Sequence, residues 1–126
     1  MNIPEGILCS RSHEYIYEKD GLNTIGLTDF AVEQLGDIVF IELPDVDAYF
    51  SKGEVFGTVE SVKAASEIYM PIGGKIVEIN NDLLDSPEML NESPYEKGWL
   101  IKVEPADLSK DAVDLMEYDD YKEEVM

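Results

Sequence analysis

Two copies of one short pattern constrain the fold of this chain more than any other feature. The segments GDIVFI (36–41) and GKIVEI (74–79) share the pattern Gly-x-Ile-Val-x-Ile and begin 38 residues apart. A weaker match relates SKGEVFGTVE (51–60) to EKGWLIKVEP (96–105), with the Lys-Gly pairs 45 residues apart. Two similar sheet units of this size need each other to cover their apolar faces. The repeat therefore predicts a β-sandwich of two quasi-repeated halves.

Strand-like runs dominate the rest of the chain as well. Short segments rich in Val, Ile, Tyr and Phe alternate with turn residues, and the sequence KDG predicts a hairpin turn between the first two of them. The third run is expected to be a buried strand, and Gly57 in the fourth predicts a bulge or a close backbone approach. The predicted strands are 14–18, 22–27, 37–44, 54–62, 75–80 and 98–105.

Helices are predicted to be few and short. TDFAVEQLG (28–36) has Thr28 and Asp29 as N-cap candidates and ends at Gly36, a residue that commonly stops helices. Its apolar residues follow helical spacing. This stretch therefore predicts one short helix between two strands.

Two further helices are predicted near the C-terminus. SPEMLNESP (86–94) predicts a short helix that is capped by Ser86, and an acidic helix is predicted at about 114–126. The length suits one domain over residues 1–126. The predicted fold class is mainly β, with short helices and a C-terminal helix.

The charge of the chain is strongly negative. Twenty-eight acidic residues against nine basic ones give a formal net charge of −19. Such a charge repels phosphate backbones and anionic lipid, so neither nucleic acid nor a membrane is an expected partner. Cys9 is the only cysteine, and the first residues lack the features of a signal peptide. We expect a cytoplasmic protein, or one of an organellar matrix if a transit peptide precedes this sequence.

One lysine stands out because the chain otherwise avoids cations. Lys63 in ESVKAAS (60–66) lies between Val62 and Ala64, in the link between the two halves. The predicted hairpin at 60–68 presents it at a tip among small side chains. Most single lysines are solvated surface charges, but an accessible tip lysine also suits enzymatic acylation, which removes the charge and adds an arm.

The side chains favour a carrier over an enzyme. His13 and Cys9 are the only histidine and cysteine, so no metal site built from several such ligands is predicted. Nothing in the sequence marks a catalytic pair among the many carboxylates. We therefore predict no catalytic residue and no metal site.

Several longer motifs resemble the glycine cleavage system H-protein family. They are SHEY (12–15), IGLTDFAVEQLGDIVFIELPDV (25–46), GTVESVKAASEIYMPIGGKIVEIN (57–80) and NESPYEKGWLIKVEP (91–105). The resemblance implies a barrel-sandwich hybrid that carries lipoate as N6-lipoyllysine on Lys63. The sequence departs modestly from the family pattern at Tyr15, where tryptophan is usual, and at Glu67, where aspartate is common.

The same resemblance implies partners and a cleft. The arm would accept an aminomethyl group on glycine decarboxylase, deliver it to a tetrahydrofolate-dependent aminomethyltransferase and be reoxidised by dihydrolipoyl dehydrogenase. A lipoate-attaching enzyme would load a protein that we expect to be a monomer. Residues matching the family's arm-parking cleft are Ser12, Glu14 and Glu67, whose oxygens suit the ammonium of a loaded arm.

Three other readings stay open from the residues. A lipoyl domain of a 2-oxo acid dehydrogenase carries the same kind of lysine, but such domains are usually shorter. Biotinyl carriers normally have methionine on both sides of the lysine, where this chain has Val62 and Ala64. An unmodified acidic module that binds a basic partner by charge is the third alternative.

Overall fold

A computed structural model describes residues 2–125, which form two antiparallel sheets. The strands of the described chain are β1 Leu8–Cys9, β2 Glu14–Lys19, β3 Leu22–Leu27, β4 Ile38–Glu42, β5 Tyr49–Phe50, β6 Val55–Ser61, β7 Ala65–Tyr69, β8 Gly74–Ile79, β9 Ile101–Pro105 and β10 Met116–Glu117. The large sheet has the order β10-β1-β2-β3-β9-β8-β5, and the small sheet has the order β4-β6-β7. The predicted mainly β sandwich is confirmed.

Residues 2–125 also contain five α-helices and one 3₁₀ turn, of which α5 follows the last strand. They are α1 Asp29–Leu35, α2 Asn81–Asp85, α3 Met89–Glu92, α4 Leu108–Asp111, the 3₁₀ turn Ala112–Asp114 and α5 Tyr118–Val125. Helix α1 is capped as the sequence predicts. Thr28 accepts a hydrogen bond from the backbone N–H of Ala31 at 3.2 Å, and Gly36 ends the helix with φ = 79°.

The quasi-repeat has a structural counterpart. Strand pairs β4–β6 and β8–β9 are both antiparallel, and each register shifts within the repeated pattern, at Ile38/Phe40 and at Ile76/Glu78. These two shifts lie 38 positions apart, as do the two sequence patterns. Strand pairing does not support the weaker Lys-Gly match. Val59 pairs with Ile41 and Ile101 pairs with Ile79, so the corresponding residues of β6 and β9 are 42 positions apart rather than 45.

Three sequence predictions need correction. The strand at 37–44 is not buried throughout, because β4 is an edge strand whose Val39 and Phe40 are 52% and 49% exposed. The helix at 86–94 is shorter, and the backbone N–H of Met89 bonds to the carbonyl of Ser86 in a turn before it, so the Ser86 side chain does not cap it.

The third correction concerns the terminal helix, predicted at about 114–126. Helix α5 begins at Tyr118, because Met116 and Glu117 are drawn into pairing with Cys9 and Leu8 of β1. The last predicted residue, Met126, lies outside the described residues.

Two apolar clusters hold the elements together. The larger cluster fills the space between the sheets with Ile, Leu and Val side chains, and the smaller one is built around three fully buried tyrosines. Tyr121 in the smaller cluster anchors α5, and its hydroxyl lies 2.7 Å from Thr28 Oγ1 at the start of α1. Helix α5 thereby fixes one side of α1. None of the helices within 2–125 is long and apolar enough to span a lipid bilayer.

Candidate functional site

Lys63 lies at the tip of the hairpin that joins β6 to β7. The strands pair from Val55 with Tyr69 to Glu60 with Ala65, which leaves Lys63 exposed in the turn. The connection from the small sheet to the large sheet follows β7, after the hairpin. The lysine is therefore at a tip, as the sequence predicts, but within one half of the sandwich rather than between the halves.

Ser61 holds the turn in shape. Its backbone N–H donates to the carbonyl of Ala64 at 2.8 Å, and its Oγ accepts from the N–H groups of Lys63 and Ala64, each at 3.2 Å. A hydroxyl that accepts from the following backbone is a common way to stabilise a short turn. The N–H of Val62 also donates to the carbonyl of Asp37 at 3.0 Å, which ties the tip to the chain entering β4.

Gly36 leaves room for the stem of Lys63. A Cβ placed on Gly36 would lie 2.9 Å from Lys63 Cε, which is too close for a side chain to fit unless the lysine moves. The positive φ of Gly36 also favours glycine. The lysine stem therefore lies over the C-terminal end of α1, the helix that forms one wall of the neighbouring cleft.

The cleft has a volume of about 290 Å³ and lies between α1 and the inner side of the hairpin. Most of its wall is apolar, which limits the number of water molecules that contact its contents. The apolar lining residues are Leu27, Phe30, Ala31, Leu35, Val59 and Ile68.

The structure brings all three predicted cleft residues to this one cleft. Ser12, Glu14 and Glu67 line it together although they come from a loop, the large sheet and the small sheet. Their grouping supports the predicted parking site, whose use by an arm stays a prediction. The other polar lining residues are His13, Gln34 and Ser66.

Glu14 is held much more firmly than a surface acid. It is only 1% exposed, and its Oε1 accepts hydrogen bonds from Ser10 Oγ at 2.7 Å and from Ser12 Oγ at 2.5 Å. Its Oε2 accepts from the backbone N–H of Tyr69 on the other sheet at 3.2 Å. Burial raises the pKa of the Glu14 carboxyl, and the hydrogen bonds from Ser12, Ser10 and Tyr69 oppose the rise.

Glu67 differs from Glu14 in its exposure and in the sheet that carries it. It is exposed on the edge strand β7, where the register places it beside Thr58, one position out of step with the inward-facing pair of Val59 and Ser66. Glu67 is therefore a rim residue, whereas Glu14 lies at the base of the cleft. The two carboxylates line one cleft with very different freedom to move.

His13 forms part of the cleft wall and connects it to α5. Its Nδ1 lies 2.9 Å from the hydroxyl of Tyr121, and its ring centroid lies 5.1 Å from that of Phe30. Its positive φ of 76° is unusual for a non-glycine residue. Burial lowers the pKa of the imidazole, so the ring is neutral near pH 7 and adds no cation to the cleft.

Comparison with known proteins decides the family. A model of the glycine cleavage H-protein family matches residues 7–126. The glycine cleavage system H protein of Oceanobacillus iheyensis is 50% identical over 122 residues, which is 97% of this chain and 96% of the relative. The chain belongs to the glycine cleavage H-protein family.

Further H-protein relatives agree in sequence and in fold. The glycine cleavage system H protein of Anaeromyxobacter sp. (strain K) is 51% identical over 97% of this chain and 94% of that protein. The crystal structure of a glycine cleavage system H protein from Mycobacterium marinum superposes with a TM-score of 0.88 at 36% identity and covers 98% of each chain. The family resemblance seen in the sequence is thus confirmed by relatives that match nearly the whole chain.

Several residues of the H-protein cleft were missed by reasoning from the sequence. Gln34 and Leu35 lie in the last turn of α1, and Ser66 faces inward from β7. The helical spacing of α1 could have identified the residues that form one wall of the cleft. For β7, only its pairing with β6 shows that Ser66 faces inward and that Glu67 does not.

Cys9, the single cysteine of the sequence, is buried in the structure. Burial raises the pKa of the Cys9 thiol to about 12, so it stays a neutral thiol. Among residues 2–125, no group of three His, Cys, Asp or Glu side chains is placed to hold a metal ion.

Proposed function

We propose that this chain is a non-catalytic lipoyl carrier that transfers an aminomethyl group between enzymes of the glycine cleavage system. Lys63 is the attachment residue, with lipoate in amide linkage on its Nζ. The observation that carries the proposal is the position of the Lys63 stem over Gly36, at the end of the helix that lines the cleft. The partners are glycine decarboxylase, a tetrahydrofolate-dependent aminomethyltransferase, dihydrolipoyl dehydrogenase and a lipoate-attaching enzyme.

The residues around Lys63 fit a long acyl arm. The exposed turn leaves its amine open to an acylating enzyme, and Gly36 leaves space for the stem. When bound, lipoate supplies the disulfide that accepts the aminomethyl group and later passes it on. The chain's own task is to position that group, to limit its contact with water and to release it to the next enzyme.

The cleft suits a cationic end group in a partly dry setting. The loaded arm ends in an amine that is protonated near neutral pH, and the apolar wall of Leu27, Phe30 and Ile68 limits water around it. Glu14 already accepts three hydrogen bonds, and a carboxylate offers about four acceptor positions. Glu14 therefore keeps capacity for one more donor, and Glu67 at the rim supplies a second carboxylate.

A reconstituted system tests the proposal. Purified lipoylated chain is combined with glycine decarboxylase, the aminomethyltransferase, the dehydrogenase, tetrahydrofolate and NAD⁺, and glycine-dependent formation of NADH is recorded. The expected result is NADH formation that requires the lipoylated chain and is absent with the unmodified chain. Equal activity with both forms would contradict a carrier function that depends on the arm.

A further inference from the structure

The outer face of the small sheet presents apolar side chains to solvent near Lys63. The register places Phe40, Glu60 and Ala65 in one row across β4, β6 and β7. Phe40 is 49% exposed although it lies in a strand. The neighbouring row faces inward toward the cleft, so the two faces of this sheet have different surroundings.

This apolar surface reaches the hairpin tip. Val62, which precedes Lys63, is 68% exposed, and Val39 at the bulge of β4 is 52% exposed. The hydrogen bond from Val62 N to the Asp37 carbonyl keeps the beginning of β4 beside the tip. We call the outward surface formed by Val39, Phe40, Val62, Glu42 and Glu60 the tip face.

The acids of the tip face are not neutralised by the chain itself. Glu42 and Glu60 are exposed, and within residues 2–125 neither forms a salt bridge. An apolar centre with unpaired carboxylates at its edge is complementary to a partner surface with an apolar contact and basic side chains around it.

The equivalent position in the other half shows that this arrangement is not imposed by the backbone. After the corresponding bulge, Glu78 lies opposite Lys102 in register and their charged atoms approach to 3.7 Å. Phe40 and Glu60 occupy the matching places in the small sheet. In the second half these two positions therefore hold opposite charges, whereas in the half next to Lys63 they hold an aromatic ring and an acid.

We propose that the tip face is the docking surface for the enzyme that joins lipoate to Lys63. This inference rests on the proposed function. A bare lysine has only a four-carbon stem, so the acylating active site has to approach the backbone of the tip closely. An enzyme that acts on the finished arm can work from a greater distance. In the reaction, lipoate and ATP first give a lipoyl adenylate with release of pyrophosphate. The neutral Lys63 amine then attacks its carboxyl carbon, the amide forms, AMP leaves, and a proton passes to solvent.

The tip face is distinct from the inner wall of the cleft, because Val59 and Ser66 face the cleft while Phe40 and Glu60 form the neighbouring outward row. Glu67, in register with Thr58 and Glu42, lies at the rim between the two surfaces. The proposal assigns Phe40 a role in recognition and no role in holding the arm.

The test compares acylation rates of matched surface variants. Phe40→Ser removes the aromatic centre of the tip face, and Tyr49→Ser removes an aromatic residue that is 58% exposed on β5 of the large sheet. Lipoate incorporation by the purified attaching enzyme is followed by intact mass. We expect kcat/KM for Phe40→Ser to fall about tenfold or more, which corresponds to about 1.4 kcal/mol or more and lies within the range for truncation of a central interface aromatic. Tyr49→Ser should match the wild type, and Phe40→Leu should recover most of the rate.

Charge reversal supplies a second arm of the test. Glu42→Lys changes an acid of the tip face, and Glu18→Lys changes an exposed acid on the large sheet. Both alter the net charge equally, so a loss of acylation rate confined to Glu42→Lys supports local complementarity. Equal losses would point to the overall charge and would overturn the tip face as the docking surface.

Fully lipoylated Phe40→Ser, obtained with excess enzyme and long incubation, is then assayed in the reconstituted glycine cleavage system. Wild-type activity of this loaded protein, together with slow acylation, supports the proposal and shows that the hairpin is intact. Unchanged acylation of Phe40→Ser overturns the docking surface while the carrier function stands. A parallel loss of glycine cleavage overturns its assignment to the attaching enzyme. Failure of the wild type to accept lipoate on Lys63 overturns the carrier function itself and the docking surface with it.

Discussion

The two quasi-repeated halves share one backbone irregularity, a shift in strand register, but the strands continue differently after it. In β4–β6 and in β8–β9, an antiparallel pair changes register within the same Gly-x-Ile-Val-x-Ile pattern. After the shift, β6 leads out into the exposed hairpin that carries Lys63. Strand β9 instead lies inside the large sheet with β3 and β8 on its two sides.

The surfaces of the two halves differ accordingly. Lys102 of β9 lies opposite Glu78 and also places its Nζ 4.7 Å from the centre of the Trp99 ring, so its charge has partners within the chain. The matching row of the small sheet exposes Phe40 beside Glu60. The row in the second half is therefore paired within the chain, whereas the row in the first half leaves exposed the surface that we propose as a docking site.

The largest expected effect comes from removal of the tip amine. Lys63→Arg should abolish lipoylation and glycine cleavage, because the guanidinium is not acylated, and should leave folding intact because the residue is exposed. Lys75→Arg, in β8 of the second half, should leave both activities at the wild-type level. Lipoylation is measured by intact mass, glycine cleavage by NADH formation and folding by thermal unfolding. Residual glycine cleavage by lipoylated Lys63→Arg would show that another residue accepts the arm.

The cleft carboxylates should affect the loaded arm and not the empty one. Glu14→Gln and Glu67→Gln keep the shape and remove a charge that would pair with the ammonium. A hydrogen bond to a charged group contributes about 1.5–3 kcal/mol, so spontaneous ammonia release from the loaded protein should accelerate roughly tenfold to a hundredfold. Release is followed from the isolated loaded protein.

Glu104→Gln on β9 is the control for these carboxylates, since Glu104 is an exposed acid of the second half. It should release ammonia at the wild-type rate. One common rate for all four proteins would mean that Glu14 and Glu67 do not hold the arm.

Close backbone contacts should make alanine substitutions at Gly57 in the first half and at Gly74 in the second half equally destabilising. A Cβ on Gly57 would lie 2.5 Å from the carbonyl oxygen of Glu42, and a Cβ on Gly74 would lie 2.5 Å from that of Glu104. Each alanine variant should lose about 1–3 kcal/mol of unfolding free energy, the usual cost of overpacking. Urea unfolding measures this, and a loss in only one variant would show that one half can adjust its strands more readily.

The smallest effect on stability is expected from a substitution that gives the first half a Lys-Glu pair like that of the second half. Phe40→Lys places a cation opposite Glu60, as Lys102 lies opposite Glu78. Because an exposed ion pair contributes about 0–1 kcal/mol and Phe40 is half exposed, the unfolding free energy should change by about 1 kcal/mol or less. Lipoylation should nevertheless become slower, and a wild-type rate would contradict the contrast between the two surfaces.

Local sequence patterns predicted the parts of the fold that depend on neighbouring residues. The cap and end of α1 follow from Thr28 and Gly36, and Gly57 marks the bulge where the register of β6 shifts. Lys63 was predicted at a tip because it lies on the link between two predicted strands, 54–62 and 75–80. Each of these features depends on a few consecutive side chains.

Features that depend on distant pairing were not predictable in this way. The burial of Glu14 requires the N–H of Tyr69, 55 residues further along the chain. The start of α5 at Tyr118 depends on the pairing of Met116 with Cys9 across the chain. The exposure of Phe40 follows from the edge position of β4 in the small sheet, which no local pattern reveals.

Peptide mapping tests directly whether Lys63 alone carries the arm. Protein isolated from cells able to attach lipoate is digested, and every lysine-containing peptide is analysed by mass spectrometry. We expect lipoate on Lys63 and on no other lysine. Lipoate on Lys52, Lys75 or another lysine, or a fully unmodified Lys63 in such cells, would contradict it.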